Sequence, residues 1–145
     1  MKMIYQIVSV MVLVAVLVGC CNCRAVQKKT QKPLTDTEWQ LVQLGGESMQ
    51  PVEGKYTIQF FADEQRFAGV GACNRLTATY KTNDKHTLKL ENAGMTRMMC
   101  PDQATEDRFV EMLNQVTRYD MDGAMLMLFA GDDLLAVFQA KPELQ

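Results

Sequence analysis

Apolar and polar residues alternate with a period of two in short runs that recur from residue 34 onward. Tyr56, Ile58 and Phe60 fall on one face of such a run, and the residues between them are largely polar. This alternation predicts a strand with one buried face. The other runs with strand character are residues 39–44, 66–74, 76–82, 87–92, 125–130 and 134–140. Polar stretches at 83–86 and 131–133 separate two pairs of these runs and predict hairpin turns.

The period changes between residues 101 and 116, where one helix is predicted. Pro101 and Asp102 suit its start, and Glu106 and Asp107 lie in or near the first turn, where negative charge favours the helix dipole. The apolar residues at the helical spacing i, i+3, i+4, i+7 are Phe109, Met112, Leu113 and Val116. They form one stripe, so the helix is amphipathic and buries that face.

Together these elements predict a mainly β (α+β) domain. Short strands at regular intervals with one amphipathic helix indicate an antiparallel, barrel-like sheet against which the helix packs. Large inward residues predict a filled interior rather than an open one; they are Trp39, Phe60, Leu128 and Phe138. Glycines at 69 and 71 indicate bulges, bends or a close backbone approach.

The N-terminal segment has the pattern of an export signal. Residues 7–18 are apolar apart from Ser9, a run of about 12 residues where a membrane-spanning helix needs roughly 20. Residues 17–20, Leu-Val-Gly-Cys, resemble the bacterial lipobox, in which cleavage precedes a cysteine that carries lipid. We therefore expect a lipoprotein signal peptide at 1–19 and a membrane anchor on Cys20; an uncleaved anchor is the alternative.

Charge is unevenly distributed after this segment. Residues 21–34 carry a net charge of about +4 without an acid, and the remainder from residue 35 carries about −7. Residues 20–33 are therefore predicted to be the lipidated cysteine and a flexible basic tether, which suits anionic headgroups. The acidic remainder argues against a nucleic-acid partner, because phosphate contacts need a basic face.

Three stretches of the remaining chain contain short motifs. Their residues are Thr37, Trp39 and Leu41; Gly71, Cys73 and Asn74; and Thr96, Met98 and Cys100. In these motifs the chain resembles the META domain, a family that includes the HslJ-type heat-shock lipoproteins of Gram-negative envelopes. The likeness covers nearly all of residues 34–140, and the domain is assigned to 34–145. Ala72 and Ala78 stand where the family often has glycine, so the turn after Asn74 is expected to differ.

The resemblance implies a compact, mainly β domain that faces the periplasm and is linked with heat or antibiotic stress. It implies no catalytic mechanism, and the motif residues are expected to be structural. Outer-membrane placement is expected because the residue after Cys20 is not the aspartate that favours retention at the inner membrane. That residue is Cys21.

Cysteines outside the lipobox fall into two pairs. Export to an oxidising compartment predicts a disulfide between Cys73 and Cys100, the alternative being two buried thiols. Cys21 and Cys23 have no evident partner: they could bridge to each other, acquire a second lipid or join two copies. Among the cysteines outside the lipobox, no Cys-x-x-Cys spacing indicates a redox centre, and no set of zinc ligands is evident.

Methionines cluster before Cys100 and in residues 121–127. The first cluster is Met95, Met98 and Met99, and the second is Met121, Met125 and Met127. Methionine is an adaptable core filler, so we expect these residues to fill the core. Thioethers are also soft ligands that select Cu(I), which leaves a soft-metal site as the alternative. No metal or cofactor is predicted.

Catalysis is not expected. The only histidine of the sequence, His86, lies in a polar loop without an acid–base partner, and no Ser-His-Asp set or phosphate-binding loop followed by lysine is present. The sequence therefore predicts a lipid-anchored, non-catalytic envelope protein with a stress-related binding or structural role toward an envelope protein or small ligand. The alternatives are a periplasmic Cu(I)-binding protein and a barrel carrier of a small apolar ligand.

Overall fold

A computed structural model describes residues 31–142. The predicted signal peptide, Cys20, Cys21 and Cys23 lie outside the described residues. Nine strands and one α-helix make up the described part: β1 (Glu38–Leu44), β2 (Glu47–Ser48), β3 (Thr57–Phe61), β4 (Arg66–Val70), β5 (Arg75–Thr82), β6 (Leu88–Met95), α1 (Gln103–Gln115), β7 (Arg118–Asp122), β8 (Met125–Ala130) and β9 (Asp133–Ala140). The predicted mainly β class with one helix is confirmed.

All strands pair antiparallel in one curled sheet. The order is β6-β5-β4-β3-β1-β9-β8-β7, with the short β2 paired to β1. The two outermost strands meet only at one end, where Thr87 and Arg118 form an isolated bridge. The Leu88 N–H donates to the Thr117 carbonyl at 2.9 Å, and the Tyr119 N–H donates to the His86 carbonyl at 2.9 Å. The sheet is therefore a half-barrel that closes at one end.

The interior of this half-barrel is filled by large side chains. Trp39, Phe60, Leu128 and Phe138 are each at most 1% exposed, as their positions in the sequence predict. Phe60 packs edge-on against the rings of Phe67 and Tyr80, at centroid distances of 5.3 and 5.2 Å. Edge-to-face packing of this kind adds to the stabilisation from burial. An interior ligand would have to displace these rings.

The helix lies over this core through its predicted stripe. Phe109, Met112, Leu113 and Val116 are all buried, and the Phe109 ring lies 5.5 Å from the Tyr56 ring. Among the helices of residues 31–142, none has both the length and the apolar character needed to span a membrane.

One sequence prediction about the β4–β5 region is corrected. The predicted strand 66–74 ends at Val70, because residues 71–74 form the turn into β5, closed by the Gly71 N–H donating to the Asn74 carbonyl at 2.8 Å. Neither Ala72 nor Ala78 has a positive φ, so the backbone at these two positions does not require glycine.

The expectation that the clustered methionines fill the core is wrong for most of them. Met95, Met98 and Met99 are 38%, 56% and 100% exposed. Met125 and Met127 share one face of β8 as predicted, but it is the half-buried outer face, because the alternation of the strand turns Leu126 and Leu128 inward. Met121 packs against the edge of the core.

Candidate functional site

Most of the family motif residues converge on one buried carboxylate, that of Glu106 in α1. Gly71, Cys73 and Asn74 lie against it in the β4–β5 turn. From the strap, the segment 96–102 that joins β6 to α1, Cys100 lies beside it, and Thr96 and Met98 bond to Asn74. We call these seven residues the Glu106 cluster. Glu106 itself is 0% exposed, although its place near the first turn indicates only a favourable interaction with the helix dipole.

The Glu106 carboxylate is held by N–H groups of the β4–β5 turn. Its Oε1 accepts the backbone N–H of Cys73 at 3.2 Å and of Asn74 at 2.9 Å. Its Oε2 accepts the side-chain amide of Asn74 at 2.5 Å. Such charge-assisted hydrogen bonds are stronger than those between neutral groups. They tie the first turns of α1 to the end of β4.

These contacts keep Glu106 ionised. Burial alone would raise the pKa of a carboxyl group. The side-chain amide of Asn74 and the backbone N–H groups of Asn74, Cys73 and Ala72 outweigh this effect and lower the pKa of Glu106 below its ordinary value. The carboxylate therefore remains charged at neutral pH although it has no exposed surface.

Asn74 connects this carboxylate to the strap. Its Oδ1 accepts the Met98 N–H at 2.7 Å and the Thr96 hydroxyl at 2.9 Å. Its amide donates to the Met98 carbonyl at 3.0 Å as well as to Glu106. The Asn74 side chain is thus fully used, and it fixes both the N–H and the carbonyl of Met98 while leaving the Met98 thioether exposed.

Cys73 and Cys100 form a disulfide, as predicted. The bond joins the same two segments that Asn74 connects, the β4–β5 turn and the strap. The Cys100 sulfur also lies 3.7 Å from the Glu106 Oε2. The covalent and the hydrogen-bonded links therefore reinforce one another around the carboxylate.

Three possible metal ligands occur here, since the Cys73 and Cys100 sulfurs and a Glu106 oxygen lie within 4.8 Å of one another. The two sulfurs are bonded to each other, however, and the carboxylate oxygens accept N–H groups. A thiolate, not a disulfide sulfur, is the metal ligand that cysteine provides. In this arrangement the three residues stabilise the fold.

A second polar contact lies at the start of α1. The Tyr56 hydroxyl donates to Asp102 at 2.5 Å. Burial, followed by the hydrogen bond and the charge of Asp102, raises the pKa of Tyr56. Hydrogen bonds from Thr105 and then Tyr56 lower the pKa of Asp102. The sequence predicted Asp102 at the helix start but gave no sign of Tyr56 as its partner.

The remaining motif residues lie away from the Glu106 cluster. The Thr37 hydroxyl donates to the Pro33 carbonyl at 2.8 Å, and the Trp39 indole N–H donates to the Leu34 carbonyl at 3.1 Å. Leu41 is 1% exposed in the core. These three residues fix the entry of the chain into β1. The family motifs therefore describe two separate structural sites.

Replacing Glu106 by glutamine should destabilise the protein by about 3 kcal/mol, because one amide N–H would then face N–H donors in a buried site. In the wild type, the ionised Glu106 carboxylate should contribute its full stabilisation of the folded state above the ordinary glutamate pKa of about 4.5. This contribution should be lost as pH falls through the lowered pKa that Glu106 has in the folded protein. Urea unfolding from pH 7 to pH 3 should show a weaker pH dependence in Glu106→Gln than in the wild type. Glu111→Gln, an exposed change in the same helix, is the matched control, and an equal pH slope in all three proteins would contradict the assignment.

Gly71 should tolerate no side chain. A Cβ at this position would meet the Glu106 Oε1 at less than contact distance and its Cγ and Cδ at 3.0 and 3.1 Å. Gly71→Ala should therefore lower the free energy of unfolding by about 2 kcal/mol through overpacking. Gly94→Ala is the control, because its Cβ would meet only Thr77 Oγ1 at an ordinary 3.5 Å. Thermal and urea unfolding measure the stability of both variants. Equal stability would show that the close approach of Gly71 to Glu106 does not contribute to the free energy of unfolding.

The chain is similar to known proteins in sequence and in fold. The family model for the META domain matches residues 32–142. The chain is similar in fold to a protein from Burkholderia xenovorans solved by NMR, at 21% identity with a TM-score of 0.58, over 76% of this chain and 85% of that chain. It is also similar to a second NMR structure, at 21% identity and a TM-score of 0.59 over 73% of this chain and 90% of that chain.

A third similar fold is the crystal structure of a DUF4847 family protein from Bacteroides vulgatus, at 17% identity with a TM-score of 0.55, over 73% of this chain and 93% of that chain. No curated protein matches the chain. At these identities the solved structures support the fold alone. The family match, in contrast, covers most of the sequence and includes every motif residue described above. The chain belongs to the META domain family.

Proposed function

We propose that this protein is a lipid-anchored, non-catalytic member of the META family that binds another component of the bacterial envelope. It is held at the outer membrane by Cys20, faces the periplasm and acts during heat or antibiotic stress. The observation that carries this proposal is the disulfide between Cys73 and Cys100 at the centre of the Glu106 cluster. Disulfides form and persist in oxidising compartments such as the periplasm, and the lipobox ending at Cys20 fits the same compartment.

The non-catalytic role is supported by how the polar groups of the cluster are used. The Glu106 and Asn74 side chains are at most 1% exposed. Their oxygen and nitrogen atoms bond to one another, to the β4–β5 turn and to the strap. A general acid or base must come within hydrogen-bond reach of a substrate proton. A carboxylate that is covered on all sides and bonded internally is suited to holding the fold together.

Replacing Cys20 by serine should abolish lipid incorporation and release the protein from the membrane fraction. The reason is that the lipobox cysteine supplies the sulfur that carries the lipid. Labelling with a radioactive fatty acid, combined with fractionation of cells, measures both effects. Cys23→Ser should retain the lipid and serves as the control. Continued lipid incorporation in Cys20→Ser would contradict the anchor assignment.

A soft-metal function is the second candidate, favoured by the exposure of Met95, Met98 and Met99. These three thioethers lie within five residues of one another, and Met99 is fully exposed. Exposed thioethers are available as ligands in a way that buried core methionines are not, and they select Cu(I). The exposure of Met95, Met98 and Met99 gives the metal hypothesis a specific location.

If the strap binds Cu(I), the double variant Met98→Leu, Met99→Leu should lose stoichiometric binding. Leucine keeps the apolar volume but has no sulfur. The matched control is Met125→Leu, Met127→Leu, which removes two half-buried methionines on β8. Titration of the full-length protein with Cu(I) in the presence of a competing chelator measures the stoichiometry. Absence of binding by the unaltered protein, or equal binding by both double variants, would exclude this candidate.

A further inference from the structure

One edge of β6 is paired with another strand over only part of its length in the described residues. On one side β6 pairs with β5 along its whole length. On the other side, its only backbone pairing within the described part of the chain is that of residues 86–88 with residues 117–119. From Lys89 to Met95, therefore, one edge of β6 pairs with no strand. Unpaired strand edges bind other extended chains.

The direction of the free backbone groups follows from the paired ones. The N–H of Leu88 points away from β5, toward Thr117, so the period of two points the N–H and carbonyl of Leu90 the same way. The Thr96 N–H bonds to Arg75, on the β5 side, so the groups of Met95 also point away from β5. A bulge at Asn92, whose φ is 53°, separates these two positions.

A groove runs along this open edge, between β6 and α1. Two cavities of about 340 and 600 Å³ form it, and they share Leu90 and Asn114. The first cavity is mainly apolar: Leu76 and Ala78 lie at its base, and Val110 and Leu113 form the wall on α1. The exposed Met98 and Met99 lie just beyond Met95, in the strap. The open backbone edge and the apolar surface therefore coincide.

The charged residues that line the groove are cations. Arg97 lies at the strap end, and Lys81 and Lys89 lie at the other end. The two lysines bind Glu91, at 2.8 and 3.1 Å. The Arg97 side chain has no partner among the described residues, although residues 35–145 are acidic overall. The strap end of the groove is thus prepared for an anionic group.

We propose that the groove between β6 and α1 binds an extended apolar polypeptide segment, which adds to the open edge of β6 as a strand and places an acidic residue at Arg97. An acyl chain would fill the apolar surface but leave the backbone groups of Leu90 and Met95 without partners. A strand satisfies them and sends alternate side chains into the groove. The inference names the partner class of the binding role proposed above and rests on it.

A synthetic peptide tests this directly. The probe is fluorescein-labelled Asp-Val-Thr-Val-Thr-Val-Thr, added to the full-length protein in lipid nanodiscs and followed by fluorescence anisotropy. We expect saturable binding. A probe with the same composition but consecutive valines should bind more weakly, and so should a probe N-methylated at alternate residues, which cannot form the strand hydrogen bonds. Equal binding of the N-methylated probe would overturn strand addition without any change to the protein.

Charge reversal tests the position of Arg97. Arg97→Glu should weaken probe binding about fivefold, the scale of an exposed ion pair turned into a repulsion. Lys55→Glu changes the net charge equally in an exposed loop outside the groove and should leave binding unchanged. Amide exchange should slow at Leu90 and Met95 when the probe binds. An equal loss of probe binding in Arg97→Glu and Lys55→Glu would overturn the assignment. Slowed amide exchange only at residues other than Leu90 and Met95 would also overturn it.

Two further outcomes separate this inference from its alternatives. In the first outcome, dodecanoate displaces the probe, its binding depends on Arg97, and amide exchange in β6 does not slow. This outcome would assign the groove to an anionic amphiphile and overturn the peptide proposal. Cys20-dependent lipid labelling without any probe binding would overturn the groove assignment alone. Probe binding in a protein that carries no lipid would support the groove and overturn the anchored role.

Discussion

The structure depends on one ionised carboxylate that has no contact with solvent. Taking the Glu106 charge out of water costs several kcal/mol unless hydrogen bonds replace its hydration. The β4–β5 turn supplies those bonds, and only a turn with N–H groups in this geometry, with glycine at 71, can approach closely enough. This contact joins α1 to the β4–β5 turn, and Asn74 and the disulfide join the same turn to the strap. The open end of the half-barrel is thereby braced by the helix and not by further strand pairing.

Local pattern was enough to predict most of the fold. Period-two runs located most of the strands, and the stripe from Phe109 to Val116 is the buried face of α1. The disulfide was also predictable, because compartment and cysteine count restrict the choices. The glycines at 69 and 71 indicated bulges, bends or a close backbone approach; the structure has the close approach at Gly71, and its partner Glu106 was not predicted. These features share one property: each is determined by residues near in sequence or by a small set of possible pairings.

The role of Glu106 could not be predicted in the same way. A carboxylate near the first turn of a helix has a sufficient local explanation in the helix dipole. Its burial arises from Asn74, which is 32 residues away. The prediction that the methionines fill the core was wrong for a related reason. Methionine is generally a core residue, but the alternation of β8 turns Met125 and Met127 outward, and the hydrogen bonds between Asn74 and the Met98 backbone leave the Met98 side chain exposed. Long-range contacts, not propensity, decided both cases.

The double connection between the β4–β5 turn and the strap has a consequence for how the correct cysteines find each other. Asn74 holds the strap through hydrogen bonds that need no oxidation, so Cys73 and Cys100 meet at high effective concentration while both are still thiols. The sequence also contains Cys20, Cys21 and Cys23, which could form mixed pairs. In an exported chain the Cys73–Cys100 disulfide would therefore form faster than the mixed pairs, because the hydrogen bonds of the Asn74 amide hold its two thiols close together.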